Sequence, residues 1–183
     1  MNYISLIGDI VNSRSIKEED RFQLQTCLND VLTRFNNLYP DKIAAKLTLT
    51  LGDEFQGLFY DASLIFEIIS YLLVKVPYKI RFGIGKGSLF TNINSITAIG
   101  TDGPVWWNAR NALQKIKEDK TIKTNIIFYG LENILLEELI NNTFVFIYKV
   151  TKNWNCNQKL VLEKLIYHYG LTDDFKQIEI AKR

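Results

Sequence analysis

Residues 45–59, AKLTLTLGDEFQGLF, decide the fold class of this 183-residue chain. Apolar and polar side chains alternate through residues 45–51, and a second strand pattern follows at residues 54–59. Gly52 and Asp53 separate the two patterns, as expected for a tight β-hairpin turn. The stretch therefore predicts two paired strands with a carboxylate at the tip of the hairpin.

The segments before the hairpin predict a strand and a helix. Residues 2–7 form a short apolar run that ends at Gly8 and Asp9, which is typical of a buried strand with a carboxylate at its end. Apolar residues then recur at helical spacing through residues 18–38, and a proline follows. The hairpin is thus preceded by a strand and a long helix.

The segments after the hairpin complete the pattern. They predict helices at 62–74, 105–117 and 131–140, and strands at 79–85 and 125–129. The order β, α, β, β, α, β predicts an α+β protein of the ferredoxin-like or palm type, with an antiparallel sheet covered by helices on one face. In that topology the end of the first strand lies beside the hairpin.

The end of the chain predicts a short helical segment. Residues 1–150 are expected to form the palm domain, and residues 151–183 a helical appendage too short for a strong core of its own. A helix at 157–169 followed by one at 175–183 is typical of the start of a helix-turn-helix. The chain stops before a recognition helix, so DNA is expected as a partner only through a completed helix-turn-helix.

Composition excludes several classes of function. The net charge of +2 gives no general attraction to nucleic acid or to an anionic membrane, and no apolar run approaches the ~20 residues of a membrane span. We therefore expect a cytoplasmic protein without a membrane partner. Cys27 and Cys156 are predicted to be buried, reduced thiols, and the single histidine, His168, a packed or surface residue.

Asp9 and Asp53 are the main candidates for chemistry. The palm topology makes the two strand ends neighbours, and two carboxylates brought together repel unless they share a proton or bind a cation. Hard oxygen ligands suit Mg²⁺ or Mn²⁺, which in turn bridge phosphate oxygens. The alternative is that Asp53 is only a turn residue and Asp9 only a helix cap.

Other side chains are candidates for nucleotide binding, each with a simpler alternative. Ser13 and Arg14 follow the first strand and can hold phosphate, or they form a plain loop. Lys86 can reach a phosphate, or is a solvated lysine. Asp102 is a third acid or a turn residue. Trp106 can stack on a base, or the Trp106–Trp107 pair belongs to the core or to a dimer surface.

Four motifs resemble those of class III nucleotide cyclases: residues 8–11 (GDIV), 51–55 (LGDEF), 81–87 (RFGIGKG) and 105–110 (VWWNAR). The second is also similar to the signature of diguanylate cyclases. The resemblance implies that two metal ions are held by Asp9, Asp53 and the carbonyl of Ile10, and that Arg110 stabilises the transferring phosphate. It further implies a head-to-tail homodimer with Arg110 crossing over.

The motifs depart from the cyclase pattern at three positions. Trp106 occupies the place of an asparagine four positions before the arginine, and Asn108 lies only two before it. Leu49 and Thr97 stand where cyclases select the base. The choice of purine therefore does not follow from the resemblance.

The whole chain also resembles the SatD family of bacterial proteins. The matching residues are 8–14 (GDIVNSR), 51–57 (LGDEFQG), 81–85 (RFGIG), and 102–104 (DGP) with 108–110 (NAR). This resemblance implies a cyclase-like domain followed by the start of a helix-turn-helix.

Three hypotheses follow. The first is a metal-dependent, nucleotidyl cyclase-like enzyme, with the triphosphate along Ile10, Asn12 and Ser13, attack by a ribose hydroxyl on the α-phosphorus, and Glu54 as a further ligand or base. Asn108 and Arg110 would then assist the chemistry. The second is a catalytically degenerate domain that senses a nucleotide and controls a DNA-binding tail. The third is a metal-free interaction scaffold, whose stability neither metal nor nucleotide changes.

Overall fold

The computed structural model describes residues 1–169. Five strands are present in this part of the chain: β1 (Tyr3–Ile10), β2 (Ile43–Leu49), β3 (Glu54–Phe59), β4 (Ile80–Gly87) and β5 (Ile126–Tyr129). The helices are α1 (Glu18–Leu38), α2 (Ile65–Lys75), α3 (Pro104–Glu118), α4 (Ile134–Thr151) and α5 (Cys156–Tyr169), with a short 3-10 helix at Ser13–Ser15.

The strands form one sheet in the order β2-β3-β1-β4-β5. β1 is central and runs antiparallel to both β3 and β4, with Asp9 opposite Glu54 on one side and Arg81 on the other. The first four strands with α1 and α2 have the βαββαβ order and arrangement of a ferredoxin-like fold. The predicted α+β, palm-type fold class is confirmed.

Two details differ from the prediction. β5 pairs parallel to β4, so the sheet is mixed. Helices also cover both faces: Leu6 packs in a core with α1 and α2, whereas its neighbour Ile7 packs in a second core with α3. Since successive side chains of a strand point to opposite faces, the apolar run of β1 serves both cores.

Glycines of β4 allow α3 to lie directly on the sheet. A Cβ atom at Gly83 would lie 2.1 Å from the carbonyl oxygen of Ala109, and one at Gly85 would lie 2.2 Å from that of Val105. Because these are backbone atoms of α3, no rotamer change relieves the contact. The glycines predicted from the sequence to permit close backbone approach therefore set the distance between α3 and β4.

The hairpin turn is slightly wider than predicted. β2 ends at Leu49 and β3 begins at Glu54, while the amide of Thr50 still donates to the carbonyl of Glu54 at 2.8 Å. Gly52 has a φ of 83°, a left-handed conformation that favours glycine. The turn places Asp53 immediately before β3.

Helix α5 packs against the main domain. Ile166 is 4% exposed and joins the core beneath α1 and α2, and Lys75 of α2 forms a 2.6 Å ion pair with Glu163. The predicted helix at 157–169 is thus present, whereas the predicted helix at 175–183 lies outside the described residues. Among the helices of residues 1–169, none has the length and apolar character needed to span a bilayer.

The cysteine prediction is half wrong. Cys27 is partly buried and packs against the core, but Cys156, at the start of α5, is exposed. Both are free thiols. His168 is exposed, and its ring packs edge-on against Tyr167 at 4.9 Å, in agreement with a packed or surface role.

Candidate functional site

The end of β1 and the hairpin tip are joined through the backbone. The amide of Ile10 donates a 3.0 Å hydrogen bond to the carbonyl of Asp53. One residue back, Asp9 lies directly opposite Glu54 in the antiparallel register. Directly opposite residues of an antiparallel pair have their side chains on the same face. Asp9 and Glu54 are therefore adjacent carboxylates on the face that α3 covers, while Asp53 lies at the turn beside them.

Two cations neutralise Asp9. Arg81 Nη2 of β4 lies 2.6 Å from Asp9 Oδ2, and Lys117 Nζ, near the end of α3, lies 3.1 Å from Asp9 Oδ1. The carboxylate is largely buried, with 13% of its side chain exposed. Within residues 1–169, Asp9 Oδ2 and Arg81 Nε are nevertheless buried atoms without a well-directed hydrogen bond. The contact with Arg81 is therefore a close ion pair with poor hydrogen-bond alignment.

Asp53 contacts the loop that follows β1. Its Oδ2 accepts a short hydrogen bond from the hydroxyl of Ser13. Asn12 adopts a left-handed φ of 56°, and its carbonyl accepts hydrogen bonds from the amide and hydroxyl of Ser15. Arg21 of α1 donates to the carbonyls of Ser13, Arg14 and Ile16, each at 3.2 Å. The loop is therefore fixed both to the hairpin and to α1.

Glu54 and Arg110 are also in contact. Arg110 Nη1 of α3 lies 3.7 Å from Glu54 Oε1, and 59% of the arginine side chain is exposed against 15% of the glutamate side chain. The arginine therefore reaches the carboxylate edge from α3 of the same chain. This is a loose ion pair, in which the guanidinium remains mostly hydrated.

The structure places four of the predicted site residues at the other end of the sheet. Lys86 lies opposite Ile4, five residues along β1 from Asp9, or roughly 16 Å at the usual rise of a strand. The side-chain amide of Asn108 donates to the backbone carbonyl of Lys86 at 2.8 Å. Within one chain, Lys86 and the start of α3 are thus separate from the carboxylate edge.

Asp102 and Trp106 have structural contacts at that far end. Asp102 accepts hydrogen bonds from the amide of Gly103 and the indole of Trp107. Trp106 is 5% exposed, and its indole donates to Thr101 at 2.9 Å. Asp102 thus occupies the turn that the simpler alternative predicted, and Trp106 belongs to the core between α3 and the sheet.

Three residues at the carboxylate edge were not identified from the sequence: Arg81, Lys117 and Arg21. Arg81 lies in the motif of residues 81–87, two residues before Gly83, and this spacing puts the two residues on the same face of β4. Its contact with Asp9 also requires the register in which Asp9 lies opposite Arg81. The contact of Lys117 with Asp9 spans 108 residues and depends on how α3 crosses the sheet. No local pattern indicates such a contact.

The donor set at this edge fits a divalent cation of the magnesium class. Mg²⁺ is commonly held by one or two carboxylates together with substrate phosphates and water, and does not require an all-protein site. Asp9 and Asp53 would supply two carboxylates, but a cation would have to share Asp9 with Arg81, 2.6 Å from Oδ2, and with Lys117, 3.1 Å from Oδ1. Residues 1–169 hold no group of three or more acidic, histidine or cysteine side chains arranged for a metal. A cation here would therefore depend on phosphate ligands.

The family assignment rests on nearly the full length of the chain. The SatD family model matches residues 3–183. The chain belongs to the SatD family. The comparison with curated proteins gave no match.

Several solved structures are similar to this SatD family protein. A bacterial light-regulated adenylyl cyclase has a TM-score of 0.49 at 16% identity, covering 69% of this chain and 74% of its own. The guanylate cyclase domain of RhGC from Catenaria anguillulae, in complex with GTP, has a TM-score of 0.39 at 15% identity over 60% of this chain and 70% of its own. A microbial GGDEF domain studied with cyclic di-GMP has a TM-score of 0.40 at 18% identity, covering 70% and 77%.

Proposed function

We propose that this protein binds a nucleoside triphosphate together with Mg²⁺ or Mn²⁺ at the edge formed by the end of β1, the hairpin tip and loop 11–16. The hydrogen bond between the Ile10 amide and the Asp53 carbonyl is the observation that supports this most strongly. It keeps the Asp53 backbone against the end of β1, next to Asp9. Asp9, Asp53 and the carbonyl of Ile10 would hold the cation, with phosphate oxygens completing its ligands.

The surroundings of the two aspartates favour a phosphate ligand. Arg14 is exposed on the loop that Arg21 and Ser13 fix in place. Arg81 of β4 brings a further positive charge to the same edge. A triphosphate along Ile10, Asn12 and Ser13 would meet cationic groups on two sides, and charge-assisted contacts to phosphate are among the stronger hydrogen bonds in proteins.

The reaction that this arrangement would support is nucleotidyl cyclisation. The ribose 3′ hydroxyl would attack the α-phosphorus, losing its proton, while the bond from that phosphorus to the bridging oxygen of pyrophosphate breaks. When bound, the cation would neutralise charge on the phosphate oxygens. Glu54 would accept that proton, and Arg110 would stabilise the transferring phosphate, reaching the site of a second subunit in a head-to-tail homodimer.

One observation favours a second candidate, nucleotide binding without turnover. Asn108 donates to the Lys86 carbonyl and Arg110 is paired with Glu54 of its own chain, so both are engaged within one subunit. In this alternative the domain senses the nucleotide and controls DNA binding by a completed helix-turn-helix. The two candidates share the binding site and differ only in turnover.

Thermal denaturation with ATP, GTP, CTP and UTP, each with and without Mg²⁺ or Mn²⁺, tests the proposal. A triphosphate at 100 times its Kd should stabilise the fold by about 2.7 kcal/mol, which for a chain of this size raises Tm by roughly 5–10 °C. The increase should require metal, fall to about half or less in Asp53→Asn, and persist in Asp41→Asn, an exposed acid before β2. Absence of any shift at millimolar ligand contradicts the proposal. Release of pyrophosphate with the stabilising nucleotide then separates the two candidates.

A further inference from the structure

Helix α4 presents an apolar stripe to solvent. None of its 18 residues is buried, although its sequence is largely apolar. The stripe consists of Leu135, Leu139, Phe146 and Val150, which are 77%, 62%, 67% and 48% exposed. Single exposed apolar residues are ordinary, but four large ones aligned along one side of a helix are typical of an interaction surface.

The stripe faces away from the domain. At ~100° per residue, its four members lie within an arc of about 60° on the helix. The opposite side of α4 holds Ile140 and Phe144, which pack against the core. It also holds Asn141, whose amide exchanges hydrogen bonds with both backbone groups of Phe128 at the open edge of β5. The contacts of α4 with its own domain therefore leave the stripe free.

We propose that the stripe is a homodimer interface, in which the α4 helices of two copies pack antiparallel about a twofold axis. The spacing of the stripe is self-complementary. With the axis between Asn142 and Thr143, Leu135 lies opposite Val150 of the second copy, and Leu139 lies opposite Phe146. Twofold symmetry repeats each contact, as an isologous interface requires. The exposed polar residues at the centre, Asn142 and Thr143, face their own counterparts.

Charge complementarity indicates that a second copy of this chain is the partner that covers the stripe. Glu138 and Lys149 are exposed on the same flank of the stripe, about 20° apart around the helix axis. They are 11 residues apart, roughly 16 Å along the helix, and so too distant to pair within one helix. Within residues 1–169 neither is part of a salt bridge. Antiparallel packing puts Glu138 of each copy next to Lys149 of the other, which gives two ion pairs per dimer.

This interface differs from the head-to-tail pairing that the cyclase resemblance implies. The latter would use the α3 side of the domain, from which Arg110 would cross to the second subunit. The exposed rings of Phe90 and Trp107, which contact each other edge to face at 5.4 Å, also lie on the α3 side. Nucleotide plays no part in the α4 contact. A test that contradicts the α4 dimer therefore leaves the proposed binding site unaffected, and the reverse is also true.

Sedimentation equilibrium of the full 183-residue chain without ligand tests the interface. The wild-type chain should dimerise at micromolar concentration. Leu139→Glu and Phe146→Glu should each be monomeric over the same range, with unchanged far-UV circular dichroism because these side chains are exposed. Phe90→Glu, which changes an equally exposed aromatic ring elsewhere, should dimerise like wild type.

A charge exchange gives a second test that does not disturb the apolar stripe. Glu138→Lys alone places two lysines opposite each other, and Lys149→Glu alone places two glutamates opposite each other. Each should weaken dimerisation by about tenfold, because two contacts change per dimer. The double variant restores both pairs and should return the dimerisation constant to within about threefold of wild type.

Other results overturn the proposal. A wild-type chain that remains monomeric overturns the proposal. If that monomer sediments with phosphatidylglycerol vesicles and Leu139→Glu or Phe146→Glu prevents it, the stripe binds a lipid surface and not a second copy. A dimer that survives Leu139→Glu but is lost in Phe90→Glu shows that the subunits meet on the α3 side. A chain that dimerises only after removal of residues 170–183 shows that its own end competes for the stripe. If the double charge variant dimerises as weakly as the single variants, the helices do not pack in the proposed antiparallel register.

Discussion

The main-chain amide of Ile10 lies 3.0 Å from the carbonyl oxygen of Asp53 and donates a hydrogen bond to it. This bond extends the β1–β3 ladder by one residue into the turn, so the hairpin tip is fixed by a backbone contact as well as by the hydrogen bond from Ser13 to the Asp53 side chain. Asp9 and Asp53, separated by more than 40 residues in sequence, consequently lie at the same edge of the sheet. The proposed site depends on this juxtaposition.

Lys117 should compete with a bound cation, since its ammonium lies 3.1 Å from Asp9. Lys117→Gln should therefore tighten Mn²⁺-dependent nucleotide binding by about threefold to tenfold, or about 1 kcal/mol. Calorimetric titration measures the change. Lys115→Gln is the matched control, because Lys115 pairs with Asp119 at 3.0 Å and should leave affinity unaltered. Weaker binding in Lys117→Gln would show that the lysine serves the ligand and not Asp9 alone.

Arg81 should be important for stability. Replacing it with methionine leaves the largely buried Asp9 carboxylate with Lys117 as its remaining ion-pair partner among residues 1–169. Loss of one partner from a buried ion pair leaves an incompletely compensated charge, and we expect a loss of about 2–4 kcal/mol in the free energy of unfolding. Urea denaturation measures it. Lys17→Met, which removes a largely exposed pair with Glu19 at 3.9 Å, should change stability by less than about 0.5 kcal/mol. Similar values for the two variants would contradict this account of Asp9.

Gly85 should not tolerate a side chain. The Cβ atom of Gly85→Ala would lie 2.2 Å from the Val105 carbonyl and 2.5 Å from the Ala109 amide, so α3 must move away from β4. We expect a loss of at least about 2 kcal/mol, measured by denaturation. Gly100→Ala is the control, because Gly100 has a φ of 88° and no atom within 4 Å of the added Cβ. This variant should lose only about 1–2 kcal/mol of folding stability, from backbone strain. Equal stability of wild type and Gly85→Ala would refute the close packing of α3.

Cys27 should react slowly with thiol reagents near neutral pH. Burial raises the pKa of its thiol above the ordinary value of 9.0, partly offset by the nearby Lys75. Because the thiolate is the reactive form, a raised pKa lowers its fraction at pH 7–8. In Cys156→Ser, the rate of modification should therefore rise with pH and reach half its maximum above pH 9.0. In Cys27→Ser, the same measurement gives the modification rate of the exposed Cys156 for comparison. An inflection for Cys27 below pH 9.0 would contradict the prediction.

The sequence predicted the elements that local patterns determine. The alternation at residues 45–51 and the glycine at position 52 identified the hairpin, and the helical period identified Glu18–Leu38 with both ends correct. The prediction ended the helix of residues 131–140 too early, since α4 continues to Thr151. Residues 143–150 are rich in aromatic and β-branched side chains with weaker helix propensity, and the contacts of Asn141 and Phe144 with the domain outweigh that preference.

The candidate site was predictable only in part. Asp9 and Asp53 were found because each ends a strand pattern, and strand order alone brings such ends together. The neutralisation of Asp9 by Arg81 and Lys117 depends on the register of β4 and the position of α3, which local sequence does not determine. The separation of Lys86 and Asp102 from the aspartates likewise follows from the direction of β4, because Lys86 lies opposite the start of β1.

Calorimetric titration of the Mn²⁺ complex of the stabilising triphosphate into wild type, Asp53→Asn and Asp41→Asn tests the central claim most directly. We predict similar affinities for wild type and Asp41→Asn, and a loss of at least about tenfold in Asp53→Asn, because one of two carboxylate ligands of the cation is removed. Equal binding by all three proteins would contradict a site at the β1 and hairpin edge.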